Sequence, residues 1–361
     1  MKKENKKLSK LPPSVNLETP IILRHNAKAM YSLGRLQGIA KTIPNQVILL
    51  NTLPLLEAKE SSAIENIITT HDELYKETLF ENIITNPDVK EVKNYSIAIK
   101  KGFDIITQNK FLSINHIIEL QSLIVRNSAG IRKLPGTVLK NEQSGQIVYT
   151  PPQDFNEIIS LLDNLEKFIN DDSLFNTEPL IKMAIIHYQF ESIHPFYDGN
   201  GRIGRIINVL YLILKGLLDL PILYLSRYII KNKSEYYRLL QAVRENNVWE
   251  EWVVFMLTGV KETSEFTIKI IDGIRELMQQ YNQTIRSNFN FYSQDLINNL
   301  FNHPYTKIDF LANDLKVSRQ TAAKYLDELS NHGLLKKIKM WKNNYYVNEP
   351  LYQLFKETSL K

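Results

Sequence analysis

Two strongly apolar segments, residues 180–193 and 206–217, flank a short polar loop, and this arrangement most constrains how the chain can fold. Residues 206–217 are apolar on nearly every side, which predicts a helix buried at the centre of the molecule. The loop, residues 194–205, carries one histidine, one aspartate, a Gly-Asn-Gly turn and two arginines. So many polar groups are costly to place between two buried helices, so we expect this loop to have a function.

Two side chains of the loop suit proton transfer and metal binding. His194 is the only side chain in the loop that can take up a proton near neutral pH, as a general base must. Asp198 offers hard oxygen ligands, which suit Mg²⁺ held jointly with a phosphate chain.

The rest of the loop suits anion binding. Gly199 and Gly201 permit positive φ and a close approach of the backbone. A helix that begins near Asn200 would direct its free N–H groups into the loop and form an anion site. Arg202 and Arg205 lie three residues apart, so on a helix they share a face and can hold successive phosphates. Together these groups indicate attack by a hydroxyl on a nucleotide phosphate.

Each feature alone has an ordinary explanation. A lone histidine is usually structural, a Gly-Asn-Gly sequence is usually a turn, and two arginines at this spacing are usually a solvated helix face. Their joint spacing is specific. His194-Pro-Phe-Tyr-Asp-Gly-Asn-Gly-Arg-Ile-Gly-Arg205 resembles, at every fixed position, the Fic family signature His-x-Phe-x-(Asp/Glu)-Gly-Asn-Gly-Arg-x-x-Arg.

This resemblance implies a mainly α Fic fold, a helical bundle with a small β-hairpin flap. It implies transfer of AMP from ATP to a Ser, Thr or Tyr hydroxyl of a protein target, with His194 as catalytic base and Asp198 as the Mg²⁺ ligand. The implied ATP-binding residues form one stretch and one separate tyrosine: Gly199, Asn200, Gly201, Arg202, Ile203, Gly204, Arg205 and Tyr237. Tyr237 is included because Tyr236-Tyr237-x-x-Leu resembles a family motif near the adenine, although Arg244 stands where some relatives have asparagine.

An upstream helix carries a second family motif. Residues 55–67 have helical spacing and alone would indicate an ordinary amphipathic helix. Ser61-x-x-x-Glu65-Asn66 resembles the family's inhibitory motif, in the subgroup where that helix lies in an N-terminal domain. The resemblance implies that Glu65 pairs with Arg205 and competes with the γ-phosphate of ATP. The sequence does not show whether Glu65 and Arg205 meet.

Residues 137–140 and 146–149, on either side of Ser144-Gly145, predict a β-hairpin. On its own this is a surface hairpin; by resemblance it is the flap that holds the target segment by strand addition.

The C-terminal segment is predicted to be a separate unit. Residues 306–315 and 319–329 indicate two helices joined by a tight turn, and residues 334–347 indicate two short strands around a turn at Trp341. This pattern resembles a winged helix-turn-helix, with Arg319, Gln320 and Lys324 on the exposed face of its second helix. Residues 303–361 hold ten lysines and arginines against six aspartates and glutamates, a net +4 of the total +5. DNA is thus a possible partner, although such modules also bind proteins.

We predict four parts: an N-terminal helical domain with the inhibitory motif (1–100), the Fic core (101–260), a connecting helix (261–302) and the winged helix-turn-helix (303–361).

The absence of cysteine excludes disulfide and thiolate chemistry. No signal core follows the charged N-terminus and no segment is apolar enough to cross a membrane, so we expect a cytoplasmic protein. The family suggests a homodimer.

Three other functions stay open at this stage, one of which is transfer of a different group, such as another nucleotide. The same site would serve removal of AMP, with Glu65 positioning water. Alternatively, the tail would bind DNA while the core senses nucleotide, as in a transcriptional regulator.

Overall fold

The structure is a computed structural model that describes residues 7–79, 86–141, 144–340 and 343–357. The predicted mainly α architecture is confirmed. The helices up to the signature loop are α1 Pro20–Ala40, α2 Val47–Ile64, α3 His71–Leu79, α4 Pro87–Asn109, α5 Ile114–Val125, α6 Phe155–Asn170 and α7 Pro179–Ile193. Those that follow are α8 Asn200–Leu214, α9 Leu225–Lys231, α10 Lys233–Asn246, α11 Trp249–Asn288, α12 Gln294–Asn302, α13 Ile308–Leu315, α14 Arg319–Asn331 and α15 Glu349–Glu357.

The strands form two small antiparallel sheets. They are β1 Leu139–Lys140, β2 Ile147–Tyr149, β3 Tyr305–Lys307, β4 Lys336–Met340 and β5 Asn343–Val347. Strands β1 and β2 make the predicted hairpin, with Leu139 opposite Tyr149. In the C-terminal sheet β5 lies between β3 and β4.

The core lies around α7 and α8, the two helices on either side of the signature loop. Every residue of α7 after its first is buried, and α8 is buried from Ile203 to Leu212, as its all-round apolar sequence predicts. Helix α8 packs against α7, α4, α5 and α2. The loop is therefore held between elements from distant parts of the chain.

Several element boundaries differ from those predicted. The long helix α11 begins at Trp249 instead of residue 261, the predicted start of the connecting helix, because Trp249, Trp252 and Met256 bury one continuous face in the core. Helix α4 runs through residue 100 and α11 through residue 260, so both cross predicted domain boundaries. Those boundaries stay predictions, and residues 1–6, 80–85 and 358–361 lie outside the described residues.

The C-terminal unit has the predicted order of helix, turn, helix and hairpin, with one correction. Residues 305–307 are not helical: they form β3, because Thr306 pairs with Tyr346 and is buried. Helix α15 was not predicted, and the predicted turn at Trp341 lies outside the described residues. The cations expected to face DNA are already paired: Arg319 contacts Asp309, and Lys324 lies 3.8 Å from Glu328.

Among the described residues no helix combines the length and the apolar character needed to cross a membrane.

Candidate active site

The signature loop begins where α7 is forced to end. His194 caps α7 in the left-handed conformation, with φ 49°, and its N–H donates to the carbonyl of Phe190 at 3.0 Å. Pro195 follows and cannot continue the helix. A non-glycine residue at positive φ is uncommon and is found where the surroundings enforce it. The turn thus directs the imidazole away from the α7 axis.

Arg132 holds this turn in place. It is fully buried, and its Nε donates to the His194 carbonyl at 2.8 Å. Its main-chain N–H donates to the Pro195 carbonyl at 2.9 Å, next to a β-bridge between Ile131 and Phe196. A buried guanidinium that meets several carbonyls fixes backbone geometry at the cost of its own desolvation.

His194 is neutral at physiological pH. Burial, assisted by the charges of Arg132 and Arg244, lowers its pKa to about 4. An imidazole with this pKa is deprotonated at pH 7 and can accept a proton, although it is a weaker base than one whose pKa lies near 7.

The N-terminus of α8 follows directly. Gly199 adopts φ 82°, a left-handed value that costs glycine little, and α8 begins at Asn200. The first bond of the helix joins the Ile203 N–H to the Gly199 carbonyl at 3.0 Å. The N–H groups before it, from Asn200 to Arg202, precede the helical hydrogen-bond ladder and can bind an anion.

The side chain of Asn200 has an anchoring role that the sequence did not indicate. We expected it to bind phosphate, but its Oδ1 accepts from the Phe196 N–H at 2.9 Å and its Nδ2 donates to the Phe196 carbonyl at 2.8 Å. Because Phe196 is buried in the core, these bonds fix the loop to the protein interior. One N–H of Nδ2 is not used in these two bonds, so the predicted contact of the Asn200 side chain with phosphate stays a prediction. Ile203 is fully buried, so its side chain does not reach a ligand. Gly204 has no side chain and lies against the Glu191 carboxyl.

Asp198 and Arg202 form an ion pair that two upstream helices support. Asp198 Oδ1 accepts from Arg202 Nη2 at 3.1 Å and from the Gly199 N–H at 2.6 Å, while its side chain is 68% exposed. Gln121 of α5 donates to the Asp198 carbonyl at 3.0 Å. Glu91 of α4 contacts Arg202 Nη1, so the guanidinium of Arg202 lies between two carboxylates.

The second signature arginine meets the upstream motif directly. Arg205 is buried; its Nε donates to Ser61 Oγ at 2.7 Å, and its Nη2 donates to the Ser61 carbonyl at 3.0 Å and to Glu65 Oε1 at 2.9 Å. The Ser61 carbonyl belongs to the last turn of α2, where carbonyls lack helical partners and the helix dipole attracts a cation. A Cβ on Gly201 would come within 2.4 Å of Glu65 Oε1, so glycine leaves the space for this contact.

The charges at this contact reinforce each other. Burial opposes ionisation of Glu65, but the charge and hydrogen bond of Arg205 outweigh it and lower the pKa of that carboxyl. The same pair raises the pKa of Arg205, although Arg205 is buried. Both groups are therefore charged at neutral pH, and the carboxylate lies where an anionic ligand of Arg205 would lie.

The two neighbouring tyrosines have different environments. Tyr236 is buried, and its hydroxyl lies 2.8 Å from Nε2 of buried His187. Tyr237 is 45% exposed, so it does not belong to the core. Its predicted contact with adenine stays a prediction.

The hairpin is attached to the end of α7. The Tyr149 hydroxyl donates to the Ser192 carbonyl at 2.9 Å, and the Arg244 guanidinium stacks 3.9 Å over the Tyr149 ring. Arg244 Nε also donates to Ser192 Oγ at 3.2 Å. Arg244 thus joins α10, the hairpin and the last turn of α7.

Sequence reasoning missed Arg132, Glu91 and Gln121. Each lies outside the signature and carries no local pattern, and each reaches the loop only through the packing of a separate segment.

Comparisons with known proteins agree with this fold. The profile described as Fic/DOC family matches residues 111–212, and that described as Fic/DOC family N-terminal matches residues 23–104. A third, described as protein adenylyltransferase SoFic-like, C-terminal domain, matches residues 277–351. Fold and site define a Fic-type protein, and the chain belongs to the Fic/DOC family.

Individual relatives are distant. Proteins named "Protein adenylyltransferase Fic" from Aedes aegypti and Drosophila melanogaster are 24% and 23% identical over 144 and 158 residues, or 40% and 44% of this chain. The chain spans only 27% and 30% of those relatives' lengths.

Solved structures share the fold. A Fic family protein from Desulfovibrio desulfuricans G20 superposes with a TM-score of 0.59 at 20% identity, covering 93% of this chain and 98% of that one. A structure of Fic-1 from C. elegans has a TM-score of 0.52 at 19% identity, covering 71% and 74%.

Proposed function

We propose that this chain is a protein adenylyltransferase, which transfers AMP from ATP to a hydroxyl of a protein and is inhibited by its own Glu65. One observation carries the proposal: a neutral histidine and the free N-terminus of α8 lie in one short loop, so a base and an anion site adjoin. The relatives named as adenylyltransferases support the same chemistry.

In the proposed reaction His194 takes the proton of the target hydroxyl. The hydroxyl oxygen then forms a bond to the α-phosphorus of ATP, and the bond from that phosphorus to the bridging oxygen breaks. Pyrophosphate leaves with the electron pair. No covalent enzyme intermediate is needed.

The phosphates are bound by the N-terminus of α8 and by the two arginines of this helix. The N–H groups from Asn200 to Arg202 bind the α- and β-phosphate oxygens, where charge builds as the leaving group departs. Arg202 binds the β-phosphate and Arg205 the γ-phosphate. When ATP binds, each of these two arginines exchanges a carboxylate partner for a phosphate.

The carboxylate oxygens of Asp198 are suitable ligands for a magnesium ion that is held jointly with phosphates. Its Oδ1 accepts from Gly199 and Arg202, whereas Oδ2 takes no part in these contacts and the side chain is largely exposed. No cluster of three metal-ligating side chains occurs in the described part of the chain, so phosphate oxygens would complete the coordination. The ion would neutralise charge on the phosphates.

Inhibition follows from competition for Arg205. The Glu65 carboxylate already accepts the hydrogen bond that a γ-phosphate would require. ATP in its productive pose must displace this carboxylate, so binding is weakened by the free energy of the Glu65–Arg205 contact.

The hairpin is the proposed docking place for the target. Ile147 and Val148 of β2 are exposed although apolar, beside the loop that carries His194. A target segment that adds as a strand would cover them and bind mainly through its main chain. Target selection by sequence would then be weak at this contact.

The test uses ATP labelled at the α-phosphate and a Glu65→Gly background, in which auto-modification is measurable. We expect His194→Ala to lower label transfer by at least about 100-fold, as for loss of a general base. His25→Ala on α1 serves as the matched control and should keep full activity. ATP labelled at the γ-phosphate should transfer no label, which separates AMP transfer from phosphoryl transfer. Full activity of the His194 variant would refute the assignment.

A further inference from the structure

A second group of cations lies outside the signature loop, in a cavity of about 220 Å³ between α9 and α11. Arg227 and Lys231 of α9 line it from one side, and Phe266 and Lys269 of α11 line it from the other. Neither helix carries a residue of the signature or of the inhibitory motif. The cavity is therefore separate from the catalytic loop.

Arg227 is unusual among the buried arginines of the described residues. Only 9% of it is exposed, and among those residues its guanidinium makes no hydrogen bond or ion pair. Its Nη1 is fully buried without a partner, and the group stacks 3.9 Å over the Phe266 ring. A buried guanidinium without a hydrogen-bonded anion is costly, because stacking on a ring does not replace the lost hydration.

The carboxylates near the cavity do not supply a hydrogen-bonded anion for Arg227. Glu265 is already engaged by Lys261 Nζ at 3.5 Å and by the Ser32 hydroxyl at 3.2 Å. Glu262 is exposed, and Glu60 of α2 acts on Arg227 only through its charge. Three cations thus line the cavity against two carboxylates, one of them engaged elsewhere.

We propose that this cavity binds a small oxyanion, either free phosphate or the phosphate group of a small metabolite, with Arg227 as its principal contact. A guanidinium pairs with two oxygens of one tetrahedral oxyanion, and stacking on Phe266 holds its plane while leaving its edge free. Lys231 and Lys269 supply further charge from the rim. The cavity has the volume of roughly seven water molecules at about 30 Å³ each, which is enough for a phosphate and a short organic group.

The experiment is calorimetric titration of the full-length chain with inorganic phosphate and, in a second arm, with glycerol phosphate. We expect Arg227→Met to weaken binding at least about tenfold, as for loss of a charge-assisted bidentate contact. Arg275→Met is the matched control, because Arg275 lies on the same helix and pairs with Asp272 at 2.7 Å. Arg205→Met, which removes a signature arginine, should leave this binding intact.

The result that would overturn the proposal is phosphate binding that survives Arg227→Met, or that is lost in Arg205→Met instead. Absence of binding of either ligand to the unaltered chain would also overturn it. If Arg227→Met does not fold, as judged by circular dichroism, the double variant Lys231→Met/Lys269→Met replaces it, because both lysines are exposed. That variant should weaken binding while folding normally. The tighter of the two ligands identifies the source of the phosphate.

Discussion

Removing the carboxylate of Glu65 is expected to tighten ATP binding by about 10–30-fold. The carboxylate makes one charge-assisted hydrogen bond of 2.9 Å to Arg205. Such bonds contribute about 1.5–3 kcal/mol, and since the Glu65 side chain is 35% exposed the lower part of that range applies, about 1.5–2 kcal/mol. Ser61 still contacts Arg205 in the variant, so the guanidinium stays in position to meet the γ-phosphate.

The assay is calorimetric titration with ATP of Glu65→Gly in a His194→Ala background, where ATP is not consumed. A double-mutant cycle with Arg205→Met isolates the contact, because the gain from Glu65→Gly should disappear once Arg205 is absent. Glu65→Gln should give an intermediate gain, since the amide oxygen still accepts a hydrogen bond. Glu119→Gln, a matched loss of charge at an exposed glutamate, should give none. Equal ATP affinity with and without the Glu65 carboxylate would refute competition for Arg205.

Three further outcomes follow from contacts in and around the loop. Glu91→Gln should tighten ATP binding by about fivefold, since releasing Arg202 from a partly exposed carboxylate is worth about 1 kcal/mol; unchanged calorimetric affinity would contradict this. Asn200→Ala should lower the unfolding free energy in urea by about 2–3 kcal/mol, because two bonds to the Phe196 backbone are lost; an unchanged urea transition would contradict this. Burial raises the pKa of Glu191 to about 7, so folding favours its protonated form; that contribution is present at low pH and lost as pH rises through about 7. Glu191→Gln should therefore flatten the fall in Tm between about pH 5 and pH 7, the interval between its ordinary and its folded pKa, and an unchanged slope would contradict the burial argument.

Local pattern was enough for most of the fold. Helices α7 and α14 and the β1–β2 hairpin lie within a few residues of their predicted bounds, because their apolar spacing, caps and turn residues all favour one structure. The predicted element bounds were wrong where tertiary contacts determine the secondary structure. Residues 305–307 form a strand because β5 supplies the hydrogen bonds, and α11 starts early because its tryptophans are buried.

The sequence by itself determined the family and the chemical groups of the loop, because the signature is a contiguous stretch of twelve residues with fixed spacing. Only the tertiary structure decided how these groups are used. It brings Glu65 to Arg205 and Glu91 to Arg202, and it commits the Asn200 amide to the backbone. The contacts of Glu65 and Glu91 with the two arginines join segments as far as 140 positions apart, and no local propensity encodes them; they exist because α2 and α4 pack against α8.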